Sequence, residues 1–299
     1  MSLTEEQRRA RADGIGGSEA AAALGFSPYQ TSLELYLAKR EAMLAGPDEE
    51  LPTKRLSNPL LWGGLLEPVI RQHYADMTGR TIEVPRVTLR HPKLRFMLGN
   101  VDGIADGKRL FEAKTQRTGE GWGTQGTDEI PHHYLLQVQH YLAITALEVA
   151  DVCVLIAGQD YRQYEVPADA ELQELLADSE LEFWQRVEKG EAPEPSWHSE
   201  GVLPVVKRLY PGTDGRTIYA RQDHNQWRAV LEESAARAKS YEASVESAKA
   251  HLLFDMGNAA RLVFPDGYQL SRKTIKRAGY TVQPIEYVDA RFSRVKDEA

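Results

Sequence analysis

The stretch Asn100-Val101-Asp102-Gly103-Ile104-Ala105-Asp106-Gly107-Lys108-Arg109-Leu110-Phe111-Glu112-Ala113-Lys114 decides the fold. Asp106-Gly107 is a hairpin signal, and the flanking β-branched and aromatic residues predict two antiparallel strands, Phe96–Ala105 and Arg109–Thr115. A tight turn there puts Asp102 opposite Glu112, or within one residue of it. Residues two apart on a strand share a face, so Glu112 and Lys114 point the same way. Two carboxylates and an amine therefore converge at one spot, which is costly unless something occupies the space between the acids. A divalent, oxygen-loving cation such as Mg²⁺ is the natural occupant, because it takes one or two carboxylates plus waters and phosphate oxygens. The lysine would hold or deprotonate an attacking water, and the metal would offset charge building on a phosphate. A surface hairpin with an ordinary salt bridge fits the same string.

Upstream, Thr81–Leu89 carries the strand pattern as well. A helix is expected from about Gly64 to Met77, closed by Gly79, with Pro68 in its first turn and Glu67 beside it. Residues 45–59 hold Gly46, Pro47, Pro52, Asn58 and Pro59 and read as a loop, preceded by a helix over 32–43. A further helix begins near Ser18, a good N-cap, with Glu19 in the first turn, an alanine run behind it and Gly25 to stop it. Downstream, 116–130 holds Gly119, Gly121, Gly123 and Gly126 without periodicity and predicts a mobile loop, in which Trp122 would be free to stack on a nucleic-acid strand. These glycines lack the Gly-Lys-Ser/Thr ending of a phosphate loop, so nucleotide binding has little support. Pro131–Leu147 is the best helix of the chain. On it Gln137 and Tyr141 lie four residues apart and share a face, which also reads as a solvated face opposite Leu135, Val138 and Leu142.

Two more strands, Val152–Ala157 and Tyr161–Val166, surround Gly158, and Asp169–Val187 is an acidic amphipathic helix. Composition shifts at Ala192-Pro193-Glu194-Pro195. This predicts a core domain over 1–195 and an appendage over 196–299, made of a polar helix (about Asn225–Met256) and a hairpin-like stretch (about Arg261–Val288). The helix lacks sustained a/d leucines and reads as a packing or oligomer arm. The basic run Arg272-Lys273-Thr274-Ile275-Lys276-Arg277 reads as a polar hairpin able to add a backbone contact.

The chain has 299 residues, 36 basic against 44 acidic, for a net charge of −8. That balance argues against a diffuse, histone-like hold on nucleic acid, so any DNA contact must be a local patch or a metal-bridged site. The single cysteine, Cys153, excludes an internal disulfide and multi-cysteine zinc or iron–sulfur sites. No window of about 18 apolar residues offers a membrane-spanning helix. The first 30 residues carry Glu5, Glu6, Asp13 and Glu19 and no secretory apolar segment, so a cytoplasmic location is expected. His73, His132 and His133 form no spaced ligand pair for a transition metal.

The string Asp102-(nine residues)-Glu112-Ala113-Lys114 resembles the PD-(D/E)xK nuclease signature, with Val101 in place of the proline. Glu67 stands where that superfamily carries an additional acid, and Gln137 with Tyr141 resembles the Q-x₃-Y pattern of its RecB-like branch. Taken alone, Glu67 also suits a helix N-terminal acid stabilised by the dipole. The opening Arg11-Ala12-Asp13-Gly14-Ile15-Gly16-Gly17-Ser18-Glu19-Ala20 resembles the YqaJ-like viral recombinases, relatives of phage lambda exonuclease. So do Leu24-Gly25-Phe26-Ser27-Pro28-Tyr29, Asn100-Val101-Asp102-Gly103 and Gln137-Val138-Gln139-His140-Tyr141-Leu142, and the likeness covers about residues 8–190.

This resemblance implies an α/β, restriction-endonuclease-like core, a mixed sheet flanked by helices, with the helical and β-hairpin appendage behind it. It implies a Mg²⁺-dependent deoxyribonuclease, with Mn²⁺ accepted in place of Mg²⁺. The implied activity is a 5′→3′ exonuclease on double-stranded ends, leaving single strand for phage-type homologous recombination. Asp102 and Glu112 would hold the metal, with the Ala113 carbonyl and, through water, Glu67. Lys114 would activate water, and Gln137 and Tyr141 would position the strand. Arg11 and Ser18 would receive the 5′-terminal phosphate, which suits a guanidinium and a helix N-terminus; a plain N-cap beside a solvated arginine suits them too. Partners implied by kinship are duplex DNA ends, a single-strand annealing protein and two further copies in a trimeric ring, in the cytoplasm of a bacterial or phage-infected cell, with no membrane. Two rivals stand beside this reading. One is an endonuclease or RecB-like repair nuclease, although the iron–sulfur relatives are disfavoured by the lone Cys153. The other is a non-catalytic scaffold that holds DNA ends.

Overall fold

The computed structural model describes residues 5–45, 57–199 and 201–275. In chain order the elements are α1 (Glu5–Ala12), β1 (Ile15–Gly16), α2 (Gly17–Ala23), α3 (Ser32–Leu44), α4 (Asn58–Thr78), β2 (Ile82–Glu83), β3 (Leu89–Arg90), β4 (Met97–Gly99), β5 (Gly103–Ala105) and β6 (Arg109–Gln116). Then follow α5 (His132–Thr145), β7 (Val149–Ile156), β8 (Asp160–Pro167), α6 (Ala170–Lys189), α7 (Val202–Leu209), α8 (Gln222–Met256), β9 (Arg261–Val263) and β10 (Gln269–Ser271).

The Asp106-Gly107 turn forms as its residue types dictate. Both residues take left-handed backbone (φ 50° and 67°), and the Lys108 N–H donates to the Ala105 carbonyl at 3.0 Å. This is the twist that matches flanking strands in a two-residue hairpin turn. β5 and β6 pair antiparallel, with Gly103 opposite Phe111 and Ala105 opposite Arg109. β6 and β7 pair parallel through the α5 crossover, and β8 returns antiparallel, giving a five-stranded mixed sheet in the order β2-β5-β6-β7-β8. A smaller sheet, β1-β4-β3, joins the opening residues to the strand before the hairpin.

Alternation along β6 sorts its side chains onto two faces. Leu110 packs with Val138, Leu142, Val152 and Val154 under α5, while Phe111 packs with Ile70, Tyr74 and Cys153 under α4. Helices therefore cover both faces of the large sheet. A third cluster, with Ile15, Leu33, Tyr36, Met97, Ile144, Phe183 and Trp184, ties α2, α3, α5 and α6 to the small sheet. These are the sheets flanked by helices of a restriction-endonuclease-like fold.

The structure departs from the sequence expectations at several places. Thr81–Leu89 and Phe96–Ala105 are each split, and the halves of each belong to different sheets. Pro85 lacks the N–H that a continuous strand needs, and Asn100-Val101-Asp102 carries the chain from one sheet to the other. α4 begins two turns earlier than Gly64, with Pro59 as its first-turn proline. Pro68 consequently sits inside the helix and withdraws one N–H from the ladder. Ser18 is not the N-cap of α2. Gly16 holds that position, and its N–H donates to Glu19 Oε2 at 2.8 Å.

Trp122 is buried rather than free to stack. Its Nε1 donates to Gln116 at 2.9 Å, and its ring packs 5.0 Å from Tyr164. The glycine-rich loop is also tied to β8 by Gly126 N–H to the Gln163 carbonyl and Glu165 N–H to the Thr127 carbonyl.

The chain divides into two compact units, residues 1–209 and 210–299. The first runs past the Ala192–Pro195 composition shift because α7 packs on α3 and Arg208 pairs with Glu41. The second contains α8 and the β9–β10 hairpin, with Gln269 opposite Val263. The expected hairpin-like stretch beyond residue 275, including Lys276 and Arg277 of the basic run, lies outside the described residues, as does most of the 45–59 loop.

Candidate active site

One step beyond the pair Gly103–Phe111, the hairpin sets Asp102 beside Glu112. Asp102 Oδ2 accepts the Ala113 N–H at 2.9 Å. Glu112 and Lys114 leave β6 on the α5 side, where Lys114 Nζ donates to Glu112 Oε1 at 2.6 Å and to Gln137 Oε1 at 2.9 Å. Gln137 Nε2 donates back to Glu112 Oε1 at 2.8 Å and stands 3.3 Å from the Tyr141 hydroxyl. Gln137 and Tyr141 are buried (7% and 4% exposed), so the solvated-face reading fails and the pair faces the hairpin acids.

Glu67 arrives from α4. Its Oε1 accepts from Arg71 Nη1 at 3.0 Å, and the same guanidinium nitrogen reaches the Asp102 carbonyl at 3.1 Å. Glu112, Lys114, Gln137 and Tyr141 thus form one network, to which Asp102 is joined through the Ala113 N–H and by charge, and Glu67 through Arg71 and by its charge.

The electrostatics follow from this crowding. Burial, then the charges of Glu112 and Glu67, hold the Asp102 carboxyl well above its ordinary value, against the pull of Lys114 and the Ala113 N–H. Burial likewise raises Glu112, opposed by Lys114 and reinforced by Glu67. The Tyr141 phenol is pushed up by burial and then by Glu112, so it stays a hydroxyl donor.

Glu112 Oε2 is buried without a hydrogen-bond partner among the described residues. A naked carboxylate oxygen beside a second disfavoured carboxylate is what a hard dication relieves, so the donor set fits Mg²⁺ or Mn²⁺. Among the described residues no group of three His, Cys, Asp or Glu side chains closes on a single point. Such an ion would therefore draw on the two acids plus main-chain, water and substrate oxygens.

Sequence reasoning missed several neighbours of this network. Arg71, four residues after Glu67, was discoverable from helical spacing. Tyr134 lies with its ring 4.7 Å from Lys114 Nζ, three residues before Gln137. His133 packs 4.1 Å from Tyr134, and its pKa is lowered by burial and by Lys114.

Arg11 and Ser18 are also brought together, with Arg11 Nη2 donating to Ser18 Oγ at 2.6 Å. The glycines between them are required by close approach. A Cβ at Gly16 would lie 2.8 Å from Arg11 Nη2, and one at Gly17 would lie 2.3 Å from Tyr141 Cε1. Gly17 therefore seats the opening residues directly on the ring of a residue in the acid network.

An α/β core that gathers acids, an amine and an amide at a hairpin defines a restriction-endonuclease-like protein. Residues 7–148 match the family described as the YqaJ-like viral recombinase domain. The chain is 29% identical over 272 residues to an uncharacterized protein, YqaJ, of Bacillus subtilis (strain 168), covering 89% of this chain and 82% of that one. Among solved structures it is similar to an alkaline exonuclease (LHK-Exo) from Laribacter hongkongensis. That match has a TM-score of 0.51 and 18% identity, over 63% of this chain and 94% of the other. The same enzyme in complex with dAMP matches at a TM-score of 0.50 and 21% identity, with the same coverage. These likenesses are of fold. No helix among the described residues is long and apolar enough to cross a membrane.

Proposed function

We propose that this protein is a Mg²⁺-dependent deoxyribonuclease that digests one strand of a DNA duplex 5′→3′ from its end, leaving single strand for homologous recombination of the phage type. The observation that carries this reading is the convergence of Asp102, Glu112 and Lys114 with Gln137 and Tyr141 around an unpartnered carboxylate oxygen. The match of residues 7–148 to the YqaJ-like viral recombinase domain family and a fold shared with a protein described as an alkaline exonuclease support it.

Asp102 and Glu112 would hold the ion, with the Ala113 carbonyl and, through water, Glu67. Once bound, the ion supplies a water of lowered pKa and offsets charge on the phosphate. Lys114 carries three donors, two already aimed at Glu112 and Gln137, and its third orients the attacking water. Gln137 holds Glu112 and Lys114 in register, and the Tyr141 hydroxyl remains a neutral donor toward the strand. Arg11 and Ser18 would take the terminal 5′-phosphate through forked, charge-assisted hydrogen bonds. Nuclease action of this kind implies duplex ends as substrate, a single-strand annealing protein as partner, a ring of three copies to retain the DNA, and a cytoplasmic setting.

End-labelled linear duplex bearing 5′-phosphate or 5′-hydroxyl, and a covalently closed circle, incubated with Mg²⁺ or with chelator, test the proposal. Short 5′-derived products from linear duplex only, and only with Mg²⁺, are expected. Cutting of the closed circle would make the protein an endonuclease. End binding without any cleavage would make it a scaffold.

A further inference from the structure

Behind Arg11 and Ser18 stands a lysine that no motif announces. Lys39, on α3, is 4% exposed, and its ammonium donates to Glu19 Oε2 at 2.7 Å and to the Arg11 carbonyl at 2.8 Å. Glu19 Oε2 also accepts the Gly16 N–H at 2.8 Å. Arg11 Nη2 lies 3.9 Å from that same oxygen, and Arg11 Nε is buried without a partner among the described residues. Glu19 Oε2 is thus engaged by Lys39 and a main-chain N–H, and the guanidinium keeps unused donors.

Charge arithmetic sharpens the point. Arg11 and Lys39 against Glu19 leave one net positive charge at this spot; without Lys39 the remainder is an Arg–Glu pair with none. Burial works to raise the Glu19 carboxyl, and Arg11 and Lys39 overcome it, so the group lies below its ordinary value and stays charged. An unopposed Glu19 would draw Arg11 into a bidentate pair of the kind guanidinium and carboxylate favour, and an incoming phosphate would have to displace it.

We infer that Lys39 is a positioning residue that sequesters Glu19, so that Arg11 remains free for a terminal 5′-phosphate and the enzyme can prefer phosphorylated ends. This rests on the end-directed nuclease reading above, and it concerns how strongly the phosphate is selected.

The test compares cleavage of duplexes with 5′-phosphate and 5′-hydroxyl ends, as the ratio of kcat/KM values, in the full chain. Lys39→Met should lower the ratio by about tenfold, the scale of one charge-assisted hydrogen bond, toward the value of Arg11→Ala. Glu19→Gln/Lys39→Met, which removes the competing carboxylate as well, should restore it. A residue needed only for folding would give no such rescue. Removing one member of a buried pair is strongly destabilising, so thermal melting accompanies each variant. Lys39→Gln, which removes the positive charge that holds Glu19 but leaves a neutral polar group in the buried pocket, carries the comparison if Lys39→Met does not fold, with a fall in the ratio expected in the same direction.

A ratio unchanged in a folded Lys39 variant overturns the inference, as does a folded double variant that stays at the Arg11→Ala level. A wild-type enzyme indifferent to the 5′-phosphate overturns the reading on which the inference rests. A wild-type enzyme that discriminates, together with a Lys39 variant that also does, overturns the inference alone.

Discussion

Two clusters of buried charge lie on either side of the Gly17–Tyr141 contact, and they are built in opposite senses. At the hairpin, Asp102 and Glu112 are raised above their ordinary values and one carboxylate oxygen has no partner among the described residues. Around α2, the carboxylate of Glu19 is lowered and its Oε2 is held by Lys39 and the Gly16 N–H, while unused donor capacity belongs to the Arg11 guanidinium. Burial alone acts the same way on both, so the difference comes from the count of neighbouring charges. Two further acids surround Asp102, whereas two cations surround Glu19. On the proposed function, the first cluster would take the cation and the second the anion of a metal-assisted reaction at a phosphorylated end.

The largest effect expected from breaking this contrast is at Lys114, the cation bonded to Glu112. Lys114→Ala should reduce cleavage of end-labelled duplex by about 10² to 10⁴-fold, the range of a positioned proton-transfer group, with DNA binding retained in the folded variant and a lowered melting temperature, because buried Glu112 loses its ion-pair partner. Turnover at the wild-type rate would remove the lysine from the chemistry.

Next comes Glu112→Gln, which keeps the shape but not the charge facing the open oxygen. Its Mg²⁺ titration of activity should shift to higher concentration by at least about tenfold, and an unmoved midpoint would take Glu112 out of the metal site.

A smaller effect is expected at the contact between the clusters. Gly17→Ala places a methyl 2.3 Å from Tyr141 Cε1 in a buried setting and should cost about 1–3 kcal/mol in urea unfolding, with loss of cleavage. Gly64→Ala, with open space around the added Cβ inside α4, should instead gain up to about 1 kcal/mol.

The subtlest expectation is in the pH dependence of stability without metal. A carboxyl raised in the folded state favours folding below the ordinary carboxylate range, and that contribution is lost as pH climbs through its raised value. Glu19, lowered when folded, contributes above the ordinary range and loses that contribution as pH falls through its lowered value. Urea unfolding in chelator should therefore show Asp102→Asn flattening the decline on the alkaline side of the carboxylate range. Glu19→Gln/Lys39→Met should flatten the decline on the acid side. Profiles that overlay the wild type would show that the two clusters do not differ as described.

Much of the hairpin cluster was legible because its determinants are local. A left-handed turn at Asp106-Gly107 and period-two alternation are properties of neighbouring residues, and they led to Asp102, Glu112 and Lys114 without tertiary information. Gln137 and Tyr141 were legible as a pair by helical spacing, although their burial was not. Where expectation and structure part, a distant contact intervenes. Trp122 looked free in a glycine-rich loop and is held by Gln116 and the ring of Tyr164. Ser18 looked like an N-cap and is the acceptor of Arg11, because the chain stays extended at Ile15–Gly16, paired with Met97 and Leu98, and the helix is capped at Gly16. Thr81–Leu89 looked like one strand and was divided between two sheets.

The sequence by itself determined which residue types lie near one another along the chain, and hence the turn, the alternating faces and the acid-x-lysine string, since these depend on bond geometry and neighbouring side chains. Only the tertiary structure decided the charge state and partners of those residues. Lys39 reaches Arg11 across 28 positions and Gln137 reaches Glu112 across 25. Desolvation and Coulomb interaction, the forces that set these clusters against each other, depend on distance in space and not on distance along the chain.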